Sequence, residues 1–270
     1  MSVPGRAVDR LQRQPRRSAR RRAGRRTGGR SRVSGVSRTA GVAVRIAFLG
    51  ASLTEGKYGG DWVAAARPHL PGHTLLNHGI AGSTINRLAE RVGDVAADGA
   101  EACFVLPGSN DALAYVFPAT RPYYKAQQDL PDGYLEPGDY AAYLRDLFNQ
   151  LALNQIHALV GLPPMEYSPE AVAASALFNR HTREVAEALN VPVLDIAAAL
   201  NPPQVLVRPP LSLQTVFRIG DRIQSGWHDY DSERAAGGYT YSFDGIHITP
   251  AAAADLGWRV ADWLREQLDL

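Results

Sequence analysis

The stretch Val44-Arg-Ile-Ala-Phe-Leu-Gly-Ala-Ser-Leu-Thr-Glu-Gly56 decides how this chain is read. Its apolar run, with β-branched and aromatic members, stops at Gly50, as a buried strand does when it ends in a tight turn. Ser52 follows two residues later. Downstream, apolar runs alternate with helical stretches, the pattern of an α/β domain with a parallel sheet. Strands are expected over residues 44–49, 74–77, 102–106, 158–162 and 193–196, and helices around 62–66, 84–97, 140–154, 169–188 and 251–267. The last helix has Thr249 as N-cap and Pro250 at its first position, a favoured pairing. Ligands of open α/β sheets bind beyond the carboxyl ends of the strands. A serine placed there is a candidate nucleophile if the chain also supplies a base and oxyanion donors.

Three further blocks meet that condition. Asn77-His-Gly-Ile-Ala-Gly82-Ser-Thr follows the second apolar run, and Val105-Leu-Pro-Gly108-Ser-Asn110-Asp111 follows the third. Ser242-Phe-Asp244-Gly-Ile-His247-Ile-Thr-Pro250 stands near the C-terminus. In this order, with the Ser52 block first, they resemble the SGNH hydrolases, the GDSL-like lipase/esterase family, from about residue 44 onward. The resemblance implies a three-layer α/β/α sandwich with a five-stranded parallel sheet, flavodoxin-like and of SGNH-hydrolase type. It also implies a serine esterase that forms an acyl-enzyme. Ser52 would be the nucleophile, His247 the base and Asp244 its orienting acid. Gly82, Asn110 and the Ser52 backbone N–H would form the oxyanion hole. No cofactor and no metal are expected. The substrate would be an ester of a small molecule, a carbohydrate or a lipid. Acyl transfer to another alcohol and a catalytically silent binding protein remain open. The family usually carries Asp just before the nucleophile, where this chain has Ala51.

The residue types suit that chemistry. Asp244-x-x-His247 lets the carboxylate fold back to the imidazole Nδ1, fixing the tautomer and stabilising the imidazolium. Glycine lets a bare backbone N–H approach a tetrahedral centre, and Asn donates without adding charge. Asp111, the other acid candidate, is expected to brace its own turn.

Two look-alikes are set aside. Gly50 to Lys57 imitates a phosphate loop, but the spacing is Gly-x5-Gly-Lys and Tyr58 stands where Ser or Thr must hold the metal. His69, His73 and His78 are near in sequence, yet Pro71 and the strand pattern argue against convergent ligands. Gly-x-Ser-x-Gly, the nucleophile motif of α/β-hydrolases, is also absent around Ser52, where Thr54 takes the place of the second Gly.

Charge is divided unevenly. Residues 1–40 hold thirteen Arg and a single acid, Asp9, although the whole chain has 29 basic and 27 acidic residues. The rest of the chain is therefore acidic. Residues 1–41 have almost no apolar periodicity and are expected to be disordered, with the hydrolase domain over 42–270. This Arg-rich extension could bind nucleic acid through phosphates, or be an extension without function. An export signal fits poorly, because the following apolar run already holds Ser52, which points to a cytoplasmic protein. Cys103 is the single cysteine, so no intrachain disulfide forms, and no apolar run is long enough to span a membrane. Oligomeric state is not readable. Two long connections, 112–137 and 201–243, are rich in aromatics and abut the site blocks, so both are expected as lids or substrate walls.

Overall fold

The computed structural model describes residues 43–270, so the disorder expected over 1–41 lies outside the described residues. In chain order the elements are β1 (Arg45–Gly50), α1 (Ser52–Glu55), α2 (Trp62–Ala66), β2 (Thr74–Gly79), α3 (Ile85–Glu90), α4 (Val92–Ala97), β3 (Ala102–Leu106) and α5 (Ser109–Val116). There follow α6 (Arg121–Gln128), α7 (Pro137–Leu153), β4 (His157–Gly161), α8 (Pro169–Ala188), β5 (Val193–Leu194) and α9 (Ile196–Leu200). The chain closes with α10 (Leu213–Gln224), α11 (Tyr230–Gly237) and α12 (Pro250–Gln267).

The strands form one five-stranded sheet in the order β2-β1-β3-β4-β5, and every pairing is parallel. Strand periodicity sorts the core into two layers. Ile46 and Phe48 of β1 pack with Trp62, Val63, Leu256 and Val260 on one face, against α2 and α12. Ala47 and Leu49 pack with Ile85, Leu88, Leu147 and Phe178 on the other, against α3, α7 and α8. This is a three-layer α/β/α sandwich, as the resemblance implies.

The chain leaves β1 towards β2 and returns past it to β3, so successive connections part at the β1/β3 boundary. A crevice opens at such a switch point beyond the strand ends. Gly50 of β1 and Leu106 of β3 are in register there, which brings the segments carrying Ser52 and Asn110 side by side.

Several expected boundaries change. The single helix over 84–97 is two, because Arg91 leaves helical geometry at φ −93°, ψ 4°. The last strand is only Val193–Leu194, because the Asp195 side chain accepts from the Ala198 N–H and starts α9 at Ile196. The two long connections are largely helical, holding α5 and α6 in one and α10 and α11 in the other. In the first, Pro122 sits in the opening turn of α6, where a missing N–H costs nothing, so it does not break the helix.

Candidate active site

Ser52 opens α1 directly after β1 and is nearly buried. Ala51, at the N-cap, offers no side-chain acceptor, yet its carbonyl takes the Thr54 and Glu55 N–H groups at 3.0 and 2.9 Å, and the turn closes. Ser52 Oγ lies 2.9 Å from His247 Nε2. His247 Nδ1 lies 2.7 Å from Asp244 Oδ2. An acid facing Nδ1 places the ring proton there, which leaves the Nε2 lone pair to accept from the serine hydroxyl. Asp244 is itself held, because its Oδ1 accepts from the backbone N–H groups of Ile246 and His247 at 2.9 and 2.7 Å. The imidazole packs between aromatic neighbours: the Phe243 ring is stacked 6.0 Å from it and the Tyr58 ring lies at 5.3 Å. Downstream, Thr249 caps α12 by accepting from the Ala252 N–H, which fixes the exit of the loop.

Gly82 and Asn110 reach the same place from other elements. Gly82 has φ +77°, and an added Cβ would sit 2.3 Å from the Tyr123 hydroxyl, so any side chain there would be both strained and crowded. Asn110 lies in the first turn of α5, entered through Gly108 at φ +96°. Its Nδ2 donates to the Ser83 carbonyl at 2.9 Å, which joins the two blocks. Ser52, Gly82, Asn110 and His247 line one cavity of about 210 Å³, with Asp244 behind the histidine.

A family model for the GDSL-like lipase/acylhydrolase family matches residues 48–254. The chain belongs to that family. It is accordingly a hydrolase acting on ester bonds. Solved structures share the fold at low identity. A lipase/acylhydrolase from Enterococcus faecalis superposes with a TM-score of 0.54 at 15% identity, covering 83% of this chain and 96% of its own. Est24, a carbohydrate acetylesterase from Sinorhizobium meliloti, gives 0.55 at 16%, covering 83% and 99%. The M. smegmatis aryl esterase gives 0.55 at 19%, with the same coverage. No curated protein matches the sequence.

The walls of this GDSL-like hydrolase's cavity come from the two long connections. Tyr123 and Tyr124 of α6 stand on one side, and Phe217, Asp221 and Gln224 of α10 on another, with Tyr58 near the histidine. A second space of about 10 Å³ borders Ser52 and Asn110 and is enclosed by Ser83, Leu106, Gly108 and Ile246.

Some residues that shape the hydrolase's site carry no motif. Arg91 reaches from the α3/α4 break to the carbonyls of His78 and Gly50 at 2.6 and 3.1 Å, tying the carboxyl ends of β2 and β1. Nothing in its sequence neighbourhood signals this. Asp111 departs from expectation: it does not merely brace its own turn. Its Oδ1 accepts from the Ile85 N–H at 3.1 Å, linking α5 to the start of α3, and burial pushes its carboxyl up to about 7.

The look-alike motifs have other uses. Gly56 is the left-handed C-cap of α1, and Lys57 pairs with Glu55 at 2.5 Å. Gly59 lets the chain pass close to the histidine loop, since a Cβ there would meet the Ile248 carbonyl. His73 Nδ1 accepts from the Val44 N–H, and His78 faces Asp98. No helix among the described residues is long and apolar enough to cross a membrane.

Proposed function

We propose that the chain hydrolyses short-chain carboxylic esters through an acyl-enzyme on Ser52. The observation that carries this reading is the unbroken line from Ser52 Oγ to His247 Nε2 and from His247 Nδ1 to Asp244, at 2.9 and 2.7 Å. In this reading His247 takes the hydroxyl proton as Ser52 attacks the ester carbonyl, and Asp244 stabilises the imidazolium that forms. The Ser52 and Gly82 backbone N–H groups and the Asn110 amide receive the oxyanion. His247 then protonates the departing alcohol, and water repeats the cycle to release the acid.

The cavity shapes support a division of the substrate. The space of about 10 Å³ beside Ser52 holds little more than a methyl group, which suits an acetyl-sized acyl chain. The cavity of about 210 Å³, walled by Tyr58, Tyr123 and Phe217, suits a ring-bearing alcohol. The acetylated carbohydrates implied by the S. meliloti neighbour's name are of that kind. The pairing of Ser52 with His247 despite Ala51 favours an active enzyme over a silent binding protein.

Turnover of p-nitrophenyl acetate and covalent labelling by a fluorophosphonate test the reading, with Ser52→Ala as control. Both should vanish in the variant. Labelling that persists undiminished in Ser52→Ala would refute the nucleophile assignment. Release of free acid, with no diversion to new ester when alcohols or sugars are added, separates hydrolysis from acyl transfer.

A further inference from the structure

Glu166 lies in the segment between β4 and α8, outside every motif block, and its side chain is buried at 2% exposure. Its Oε1 accepts from the backbone N–H groups of Tyr241 and Ser242 at 3.0 and 2.7 Å, and its Oε2 accepts from that of Thr240 at 2.9 Å. Among the described residues its side-chain partners are all backbone amides. A buried carboxylate is costly unless its hydrogen bonds are made, and bonds to a charged acceptor are stronger than neutral ones. The stretch of chain 240–242 therefore cannot shift without stranding that charge.

The same residue also grips the far side of the turn. The Glu166 N–H donates to the Gly245 carbonyl at 3.2 Å. Gly245, at φ +87°, passes so close that an added Cβ would lie 2.5 Å from Tyr167 Cα. Within the loop, Ser242 Oγ accepts from the Gly245 N–H at 2.8 Å, and the Phe243 N–H donates to the His247 carbonyl at 3.1 Å. Asp244 sits between the two points that Glu166 holds.

We propose that Glu166 is a positioning residue for the esterase. Its carboxylate and backbone N–H bracket the 240–245 turn and hold Asp244 against His247. This rests on the esterase reading above. Glu166→Gln removes the charge and sets an NH2 group against at least one backbone N–H. In a folded variant, kcat should fall about tenfold or more with KM within about threefold. The loss should disappear in an Asp244→Asn background, because both changes break one unit. A residue that serves stability alone would lower Tm and leave kcat per folded molecule unchanged.

The hydrogen-bonded Nδ1 proton of His247, followed by NMR, reads the same geometry without substrate. Its downfield resonance should move or broaden in Glu166→Gln. If that variant fails to fold, Glu166→Asp, which keeps the charge and shortens its reach, is measured by the same criteria. An unchanged kcat and resonance would overturn the proposal, and so would losses that multiply in the double variant. Absence of turnover and of Ser52 labelling in the unaltered chain would refute the esterase reading instead, and the resonance would still decide the role of Glu166.

Discussion

The Tyr124 hydroxyl donates to Asn110 Oδ1 at 3.0 Å, while Asn110 Nδ2 donates to the Ser83 carbonyl at 2.9 Å. A carbonyl can only accept, so the amide has one orientation, and its second Nδ2 hydrogen is left for the cavity. Tyr124 is buried, and that burial pushes its phenol well above the ordinary value, so it remains a donor at any working pH. Asn110→Ala should cost on the order of 2.7–4 kcal/mol of transition-state stabilisation, read as a 100- to 1000-fold fall in kcat with little change in KM. Tyr124→Phe leaves the amide in place but less firmly held. Its loss should be smaller and should vanish in the Asn110→Ala background. Steady-state kinetics and melting curves of the three variants decide this. A kcat that falls less than about tenfold in folded Asn110→Ala would remove the donor role.

Gly82 makes a separate demand on space. Its φ of +77° and the 2.3 Å approach of an added Cβ to the Tyr123 hydroxyl oppose any side chain. Gly82→Ala should therefore lower both Tm and kcat. Adding Tyr123→Phe removes the clashing oxygen but not the backbone strain, so it should restore only part of the activity. Full restoration would show that sterics alone had mattered.

The acyl side is tested by chain length. If the acyl chain enters the space of about 10 Å³ beside Ser52, each added methylene meets Leu106, Gly108 or Ile246. A methylene that a pocket cannot accept changes kcat/KM by roughly 10- to 200-fold. A series of p-nitrophenyl esters from acetate to octanoate should fall steeply after the first members. Equal rates across the series would place the acyl chain in the larger cavity.

The strands and the site blocks are legible from sequence for one physical reason. Buried parallel strands read as apolar runs, the residues just beyond them carry short signatures such as Gly50-Ala51-Ser52, and Asp244-x-x-His247 stands just before the Thr249-Pro250 start of the last helix. The two long connections are legible as walls of the cavity, but their helical form is not. Tyr123 and Tyr124 sit on a helix whose opening proline reads as a breaker, and α10 lies in a stretch framed by prolines and glycines. Arg91 and Glu166 act on backbone groups distant in sequence, from 13 residues for Arg91 to 76 for Glu166, and backbone groups carry no sequence signal. Asp111 is legible as a polar residue beside Asn110, but its bond to the start of α3 depends on packing across two elements.

That packing gives Asp111 a measurable consequence. The side chain is buried, Oδ1 accepts from the Ile85 N–H, and Oδ2 has no partner among the described residues. Burial disfavours the charged form and raises the carboxyl from its ordinary 3.8 to about 7. Between those two pH values the folded chain keeps a proton that the unfolded chain has lost. Stability from this group is complete below about pH 4, declines as pH rises, and is lost once pH passes about 7. The full difference amounts to at most ~4 kcal/mol. Asp111→Asn keeps an acceptor for the Ile85 N–H and never ionises. The variant should show a flatter Tm between pH 5 and pH 8 than the unaltered chain, and a higher Tm at pH 8. Melting curves at pH 5, 6, 7 and 8 for both proteins are the measurement. Parallel curves would mean that Asp111 is already ionised in the folded state across this pH range.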